Sequence, residues 1–170
     1  TYFSNRLAIL GYSIPGAVIA IGILLFVAQV NHLTNYVLTG SLYLLIFAYI
    51  VRYLAVAWQP INAGIESNCD SLNHASQTLG SSAYTSLTRV NLPLIKDTII
   101  TAGLLVFIDT VKELPLTLIL RPFNFETLST ATFDLSSQAQ IAESSIPALY
   151  MIMIVLAPLI FLNYRLENIE

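Results

Sequence analysis

Residues 7–30 read LAILGYSIPGAVIAIGILLFVAQV, and this stretch contains no Asp, Glu, Lys or Arg. A helix needs about 20 mostly apolar residues to cross the hydrocarbon core of a bilayer. The stretch is long enough for one such crossing. It is therefore predicted to form a membrane-spanning helix.

Three further stretches are apolar over comparable lengths. Tyr36–Val51 has no charge and the apolar pattern continues to Trp58, and Ile146–Tyr164 is another clear span. Leu94–Leu120 is more mixed, and it is predicted to be one helix that is broken or bent at Pro115. The predicted fold class is all-α, a polytopic transmembrane helical bundle with about four spans in this chain.

The composition supports a membrane protein and excludes several other classes. Of the 170 residues, 56% are hydrophobic and only 10% are charged, whereas a soluble domain has about 25% charged residues. Disordered chains are poor in apolar residues, and seven Lys and Arg against ten acidic residues offer no basic patch for nucleic acid. A single cysteine, Cys69, rules out a disulfide scaffold. Because no initiator Met is present, the chain is expected to be part of a longer protein.

Two polar stretches separate the predicted spans, Asn62–Asn91 and Arg121–Ser145. Cytoplasmic loops carry an excess of Lys and Arg. With four spans, most basic residues fall on the side of the first stretch: Arg6, Arg89, Lys96 and Arg165. Arg52 could snorkel toward that side, so the first stretch is predicted to be cytoplasmic and the second external. The external stretch is predicted to hold a short amphipathic helix with apolar residues at Leu128, Phe133, Leu135 and Ile141.

The cytoplasmic stretch has a helical period of its own. Its apolar residues recur at spacings of three or four: Leu72, Ala75, Leu79, Ala83, Leu87 and Val90. Gly80 interrupts the stripe, so two short helices around this glycine are predicted. They could lie on lipid headgroups, although the polar face has almost no Lys or Arg. They could equally dock into a groove of a cytoplasmic partner, and the spacing alone does not decide.

One motif in this stretch resembles a known family. Gly80 is followed after nine residues by Val90-Asn91-Leu92-Pro93. Binding-protein-dependent ABC transporter permeases share a similar loop: Glu-Ala-Ala, three residues, Gly, nine residues, Ile, any residue, Leu-Pro. The first three positions fall here on His74-Ala75-Ser76, with His74 at the acidic position. The resemblance implies that residues 62–93 form a cytoplasmic coupling loop, whose ATPase contacts would be His74, Ala75, Ser76, Gly80, Val90, Leu92 and Pro93.

Other stretches are similar to the ferric-iron permeases of this class. They are Lys112–Pro115 with Leu120–Leu128, Gly11–Gly16, and Arg52–Ala57. Such permeases typically carry two homologous halves in one polypeptide. The resemblance implies that residues 1–170 are a single transmembrane permease domain, the second half of a longer permease.

The resemblance also implies partners and a location. The chain would be the permease of an ATP-driven importer in a bacterial inner membrane, surrounded by lipid and moving ferric iron by alternating access. Its partners would be two cytoplasmic ATPase subunits, a periplasmic substrate-binding protein and the other permease half. The chain would be no enzyme and bind no cofactor, since ATP-Mg would sit on the ATPase subunits. The sequence has no P-loop motif, in agreement with ATP binding on a separate subunit. The residues by themselves do not favour iron over another small solute.

A charged group lies in the mixed span. Asp109, Lys112 and Glu113 share one helix face, at a depth where charges face the bundle interior or water. Two interpretations are open: a self-neutralising cluster, with Lys112 paired to Asp109 or to a neighbouring helix, or the lining of a translocation pathway or gate, to which Arg121 would also belong. Carboxylates suit a hard cation, but the lysine argues against a tight metal site, and none is predicted.

Two other functions compete with the importer. A secondary transporter or channel would place Asp109 and Glu113 directly in the ion path. An intramembrane enzyme would use the same acids, but no Ser/His or paired His motif accompanies them. The loop from His74 to Pro93 favours the importer, because neither alternative has a use for it.

Overall fold

The computed structural model describes residues 14–34, 36–68 and 82–167, and the elements in these ranges are helical. Two long helices come first, α1 (Gly16–Thr34) and α2 (Leu42–Asn68). The remaining elements follow in this order: α3 (Ala83–Ser86), a π-helical turn (Leu87–Asn91), α4 (Leu92–Leu94), α5 (Lys96–Lys112), α6 (Pro115–Leu120), α7 (Leu128–Ser137) and α8 (Ile141–Glu167). The predicted all-α membrane fold is confirmed.

Three helices in the described part of the chain are long and apolar enough to cross a membrane: Gly16–Thr34, Leu42–Ser67 and Ile141–Tyr164. They correspond to three of the four predicted spans. The second continues well past Trp58, so the first residues of the predicted polar loop are helical as far as Asn68. Many of their large apolar side chains are exposed, among them Leu25, Ile50 and Ile160, as expected where lipid or another helix is the neighbour.

The interruption predicted at Pro115 is confirmed, and of the two alternatives, broken or bent, the structure shows the break: residues 96–120 form two helices separated at Glu113 and Leu114. The first, α5, has 17 residues, a length of about 25 Å at about 1.5 Å per residue. The second, α6, has only six residues. Glu113 between them has an extended backbone, with φ −70° and ψ 117°. Pro115 explains the break, because it has no N–H for a continuing helix but fits the first turn of a new one.

The short helix α6 packs between α1 and α2. The three helices share a core of Ala20, Val27, Leu44, Leu45, Ala48, Leu116 and Leu120. Ala20 and Ala48 are fully buried, and such small side chains let membrane helices approach closely. Tyr49 of α2 adds a polar contact, because its hydroxyl lies 2.6 Å from Oγ1 of Thr117 in α6. These contacts fix α6, which directly follows the break, against both α1 and α2.

The other helices form the surroundings of this core. Helix α5 packs along α2, where a Cβ on Gly64 would lie 3.1 Å from the Thr98 side chain. Helix α8 packs against α7 and also contacts α5. Helix α5 follows α4 at one end and leads to the break at Glu113 at the other.

Helix α7 confirms that the second polar stretch holds a short helix, while its external location stays a prediction. It starts with a capping box in which the side chains of Thr127 and Thr130 each bond the other's backbone N–H. Its buried residues are Ser129 and Thr130, while Phe133 is 45% exposed. Of the other predicted apolar residues, Leu128 and Leu135 are partly buried, and Ile141 begins α8 and is exposed. Ser129 is buried because its hydroxyl donates to the carbonyl of Glu113 at 2.8 Å.

Candidate functional site

The carboxylate of Glu113 lies at the break between α5 and α6 and is only 7% exposed. Its Oε2 accepts hydrogen bonds from Arg52 Nε at 3.1 Å and from the Tyr53 hydroxyl at 2.9 Å. Its Oε1 accepts from the backbone N–H of Leu116 at 3.1 Å, in the first turn of α6. Burial of a carboxylate is costly unless a cation and further hydrogen-bond donors surround it. Two helices supply these donors here.

Arg52 extends this network to the start of α1. Its Nη1 donates to the carbonyl of Ile14 at 3.1 Å, and its side chain is 17% exposed. A Cβ on Gly16 would lie 2.6 Å from Glu113 Oε1 and 3.0 Å from Arg52 Nη1, so only glycine leaves room for the ion pair. Arg52 does not extend into solvent as a snorkelling residue would, because the carboxylate of Glu113 holds its guanidinium.

The hydroxyl of Tyr53 faces two acceptors. It lies 2.9 Å from Glu113 Oε2 and 3.0 Å from the carbonyl oxygen of Asp109. That carbonyl belongs to the last turn of α5, where carbonyls lack a donor from their own helix. The N–H of Glu113 does not supply one, because it donates to Thr110. A tyrosine hydroxyl has one proton, so Tyr53 donates to one acceptor at a time.

Two further hydroxyls satisfy the backbone at the break. The carbonyl of Glu113 accepts from Thr117 Oγ1 at 3.0 Å and from Ser129 Oγ at 2.8 Å. Non-helical backbone is tolerated at membrane depth only where protein or water satisfies its polar groups. Helices α6 and α7 therefore both serve to stabilise the break.

The remaining charges of the group form a separate pair. Lys112 Nζ lies 3.1 Å from Asp109 Oδ1, and the two side chains are 54% and 28% exposed. This is the pairing that the self-neutralising interpretation described, whereas Glu113 takes its partner from α2. The role of these residues in a translocation pathway or gate stays a prediction.

Two cavities lie between α2 and α5. The smaller has about 150 Å³ and is lined by Arg52, Tyr53, Asp109, Lys112 and Glu113. The larger has about 520 Å³ and is lined by Ala55, Val56, Gln59, Pro60, Leu105 and Asp109. Since one water takes about 30 Å³, the smaller cavity has room for several waters. Asp109 lines both cavities, which are together called the cleft below. The smaller cavity is its charged end and the larger cavity is its more apolar part.

Arg121 is placed apart from the other predicted pathway residues. Its Nη2 pairs with Asp134 of α7 at 2.8 Å, and it lines a different pocket of about 330 Å³ together with Phe123 and Glu126. Its Nη1 is buried and has no hydrogen-bond partner in the described part of the chain. The structure therefore brings Asp109, Lys112 and Glu113 to one cavity and gives Arg121 a different one.

Only part of the predicted coupling loop can be located. His74, Ala75, Ser76 and Gly80 lie outside the described residues. Val90 falls in the π-helical turn, and Leu92 and Pro93 in α4, so this end of the loop is helical as predicted. Its surface presents exposed apolar side chains: Tyr84, Leu87 and Leu92. Turns of π-helix occur often at functional sites, and this one also buries Oδ1 of Asn91 without a partner among the described residues.

A resident metal centre receives no support from the described ranges. Within residues 14–34, 36–68 and 82–167, no three His, Cys, Asp or Glu side chains come close enough to hold an ion. A permeating ion needs only weak contacts along its path.

Some residues of the site escaped the sequence reasoning. The sequence indicates Tyr53 and Gly16 only within stretches similar to ferric-iron permeases, and Arg52 only there and as a residue that could snorkel. One signal was available, because an arginine inside a predicted span needs a partner and Glu113 is an acid inside another. Nothing in the sequence indicated that Ser129 reaches the break.

Long apolar helices, a broken span and a helical segment leading into it define a polytopic membrane protein of the transporter type. Residues 1–169 match the family described as "Binding-protein-dependent transport system inner membrane component". The chain belongs to this family, as the resemblance in its loop predicted.

Three relatives illustrate the range of the family. The Fe(3+)-transport system permease protein FbpB 2 of Haemophilus influenzae is 31% identical over 153 residues, which cover 90% of this chain and 29% of that protein. The putative 2-aminoethylphosphonate transport system permease protein PhnV of Salmonella paratyphi A is 26% identical over 157 residues, 92% of this chain and 56% of its own length. The probable ABC transporter permease protein y4fN of Sinorhizobium fredii is 26% identical over 147 residues, 86% of this chain and 26% of its own. The chain thus spans less than two thirds of each relative.

Proposed function

We propose that this chain is part of the permease of an ATP-driven importer in a bacterial inner membrane, and that it moves substrate by alternating access. The observation that carries the proposal is that α3, the π-helical turn and α4 lead directly into α5, with a bend only at Ile95 (φ −98°, ψ 8°). This connected segment bears Val90, Leu92 and Pro93 toward one end and Glu113 at the other. A push on the cytoplasmic end is therefore delivered to the charged cleft by one connected set of helices.

The push would come from cytoplasmic ATPase subunits. The exposed side chains of Tyr84, Leu87 and Leu92 give the segment an apolar surface of the kind that docks into a partner's groove. The predicted contacts at His74, Ala75, Ser76 and Gly80 would complete it. ATP-Mg would bind to the ATPase subunits, so the chain itself would be a transport component and no enzyme. A periplasmic binding protein and the other permease half would be the remaining partners.

Ferric iron is the substrate we propose, and a phosphonate is the alternative. The iron assignment is supported by the FbpB 2 relative, which is named for Fe(3+) transport, and by the carboxylates of Asp109 and Glu113 near the cleft. The alternative is supported by the PhnV relative, named for 2-aminoethylphosphonate. Asp109, Lys112 and Glu113 would line the path or its gate, with Arg121 at its external end.

Uptake by reconstituted vesicles tests the proposal. The complete permease, its ATPase and an iron-loaded binding protein are placed in vesicles, and uptake of labelled ferric ion is measured with and without ATP. We expect uptake only with ATP and the binding protein. The matched control is an ATPase subunit that binds ATP without hydrolysing it. Iron uptake without ATP would contradict the proposal and favour a secondary transporter or channel, and uptake of labelled 2-aminoethylphosphonate alone would overturn the iron assignment.

A variant of the coupling loop tests the docking role. Gly80→Trp is expected to insert normally but to lose ATP-driven uptake, because a bulky side chain at the predicted turn would prevent the ATPase from gripping the loop. Membrane insertion is measured by fractionation, and uptake in the same vesicles. Uptake at the wild-type rate would exclude docking at this position.

A further inference from the structure

We propose that Arg52 and Tyr53 are positioning residues of the transport step. At rest they hold the Glu113 carboxylate against α2. They release it when Arg52 pairs with the carboxylate of Asp109 and the Tyr53 hydroxyl donates to the backbone carbonyl of Asp109. The inference rests on the proposed function and deepens it, because it says which contacts the transport cycle has to open. The group of Arg52, Tyr53 and Glu113 is called the latch below.

The first observation is that the latch joins three elements at one carboxylate. Glu113 receives donors from α2 and α6, and Arg52 carries the connection to the carbonyl of Ile14 before α1. The contact is close, because a Cβ on Gly16 would lie 2.6 Å from the carboxylate. Any movement of the break relative to α1 and α2 therefore has to separate these atoms.

The second observation is that an alternative partner lies in the same cavity. Asp109 and Lys112 line the cavity of about 150 Å³ together with the three latch residues. Two cations and two carboxylates thus share one small space with room for water. Arg52 can pass from Glu113 to Asp109 while Lys112 takes Glu113, and the total charge of the cavity does not change. Such an exchange avoids leaving an unpaired charge at membrane depth, which would be costly.

The third observation concerns the proton of the Tyr53 hydroxyl. Its two acceptors, Glu113 Oε2 and the carbonyl of Asp109, are at nearly equal distances of 2.9 and 3.0 Å. One proton cannot serve both. Donation to Glu113 holds the latch closed, and donation to Asp109 satisfies the end of α5 when the latch opens. The hydroxyl is therefore placed to follow Arg52 from one partner to the other.

A pair of matched variants tests the role of Tyr53. Tyr53→Phe removes only the hydroxyl that faces Glu113. Tyr49→Phe, one turn earlier on α2, keeps the ring beside Tyr53 and removes a hydroxyl that supports α6 through Thr117 but bonds neither Glu113 nor Asp109. In the full complex, we expect Tyr53→Phe to lower the substrate transported per ATP hydrolysed by about fivefold or more, the low end of typical coupling between sites. The two variants should have similar melting temperatures, and an equal transport-to-ATP ratio in both would overturn the proposal.

A labelling measurement reads the latch without ATP or substrate. A cysteine is placed at Val56, which lines the larger cavity, after Cys69→Ser has removed the native thiol. Its reaction rate with a maleimide is compared in the Tyr53→Phe and Tyr49→Phe backgrounds. We expect about fivefold faster labelling with Tyr53→Phe, because a weakened latch opens more often. Equal rates would overturn the proposal, whereas absence of ATP-driven uptake in the wild-type complex would overturn the proposed function and leave this comparison valid.

A reversible cross-link asks whether the latch has to open. In an Arg52→Cys/Glu113→Cys double variant, a reducible bifunctional thiol reagent joins the two positions. We expect uptake to stop when the link forms and to return when it is reduced. Cross-linked protein that transports as fast as the unlinked double variant would show a static brace and overturn the proposal. If the double variant does not insert, the labelling comparison decides.

Discussion

Two ion pairs at the end of α5 have the same length and different surroundings. Lys112 and Asp109 are three residues apart on one helix, and their side chains are 54% and 28% exposed. Arg52 and Glu113 are 61 residues apart, and theirs are 17% and 8% exposed. Both pairs have an N–O distance of 3.1 Å. The distance therefore says little about what either pair contributes.

Burial and additional donors distinguish the two pairs. Water screens the exposed pair, which by analogy with surface pairs is worth about 0–1 kcal/mol. The buried pair is tied to a tyrosine, a backbone N–H and a backbone carbonyl. Removing one partner of such a pair leaves a buried charge without compensation. The comparison predicts that substitutions in the two pairs lower the free energy of unfolding by very different amounts, although the pairs are neighbours in the structure.

Arg52→Ala is expected to have the largest effect. It leaves the carboxylate of Glu113 buried without its cation, and the expected loss of stability is about 3–5 kcal/mol. The measurement is reversible unfolding of the permease in mixed micelles. Lys112→Ala removes a cation from the other pair and is the matched control. A loss below about 1 kcal/mol for Arg52→Ala would mean that water reaches Glu113 and that the two pairs are alike.

Gly16→Ala is expected to come next, because its Cβ would lie 2.6 Å from Glu113 Oε1 and 3.0 Å from Arg52 Nη1. Overpacking of this kind costs about 1–3 kcal/mol. Gly22→Ala on the same helix is the control, since nothing lies within 4 Å of a Cβ there, and alanine favours a helix over glycine by about 1 kcal/mol. The two substitutions should therefore change the unfolding free energy in opposite directions. A shift of the same sign in both would show that the latch yields to the added methyl group.

The exposed pair could be predicted from the sequence and the buried pair could not. The spacing of Asp109 and Lys112 places them on one helix face wherever that helix lies. The pairing of Arg52 with Glu113 depends on how two distant spans pack and on a break that directs the carboxylate toward α2. Local spacing holds no information on either point.

The helices show the same contrast between features that local sequence predicts and features that packing decides. Apolar length identified three spans, and Pro115 indicated the interruption of the fourth region. The sequence left a bend and a break as alternatives, since a break requires hydroxyls from Thr117 and Ser129 to satisfy the carbonyl of Glu113. The same requirement places Ser129 of α7 in a buried position. Burial of a polar face follows from a neighbour's unmet hydrogen bond, which no amphipathic pattern records.

Ser129→Ala tests this hydroxyl support, with an expected loss of about 1 kcal/mol. The variant removes one of the two donors to the carbonyl of Glu113 and leaves Thr117 Oγ1 as the other. Ser137→Ala is the matched control on the same helix, because its exposed hydroxyl contacts only the nearby carbonyl of Asp134. Unfolding of both variants is compared with the wild type. If Ser129→Ala costs no more than Ser137→Ala, Thr117 alone is sufficient to hold the break.

Lys112→Ala is expected to have the smallest effect on stability and to be the most informative about transport. Its pair is more than half exposed on the lysine side, so the loss should stay within about 1 kcal/mol. At about 1 M salt, where the Debye length is about 3 Å, the variant and the wild type should become equally stable, while Arg52→Ala should still differ from both. If Lys112 lines the path or takes Glu113 when the latch opens, uptake changes in this variant although stability hardly does, because the charge then acts in the transport step and not on the resting fold. Unchanged uptake together with unchanged stability would show that Lys112 only neutralises the charge of Asp109.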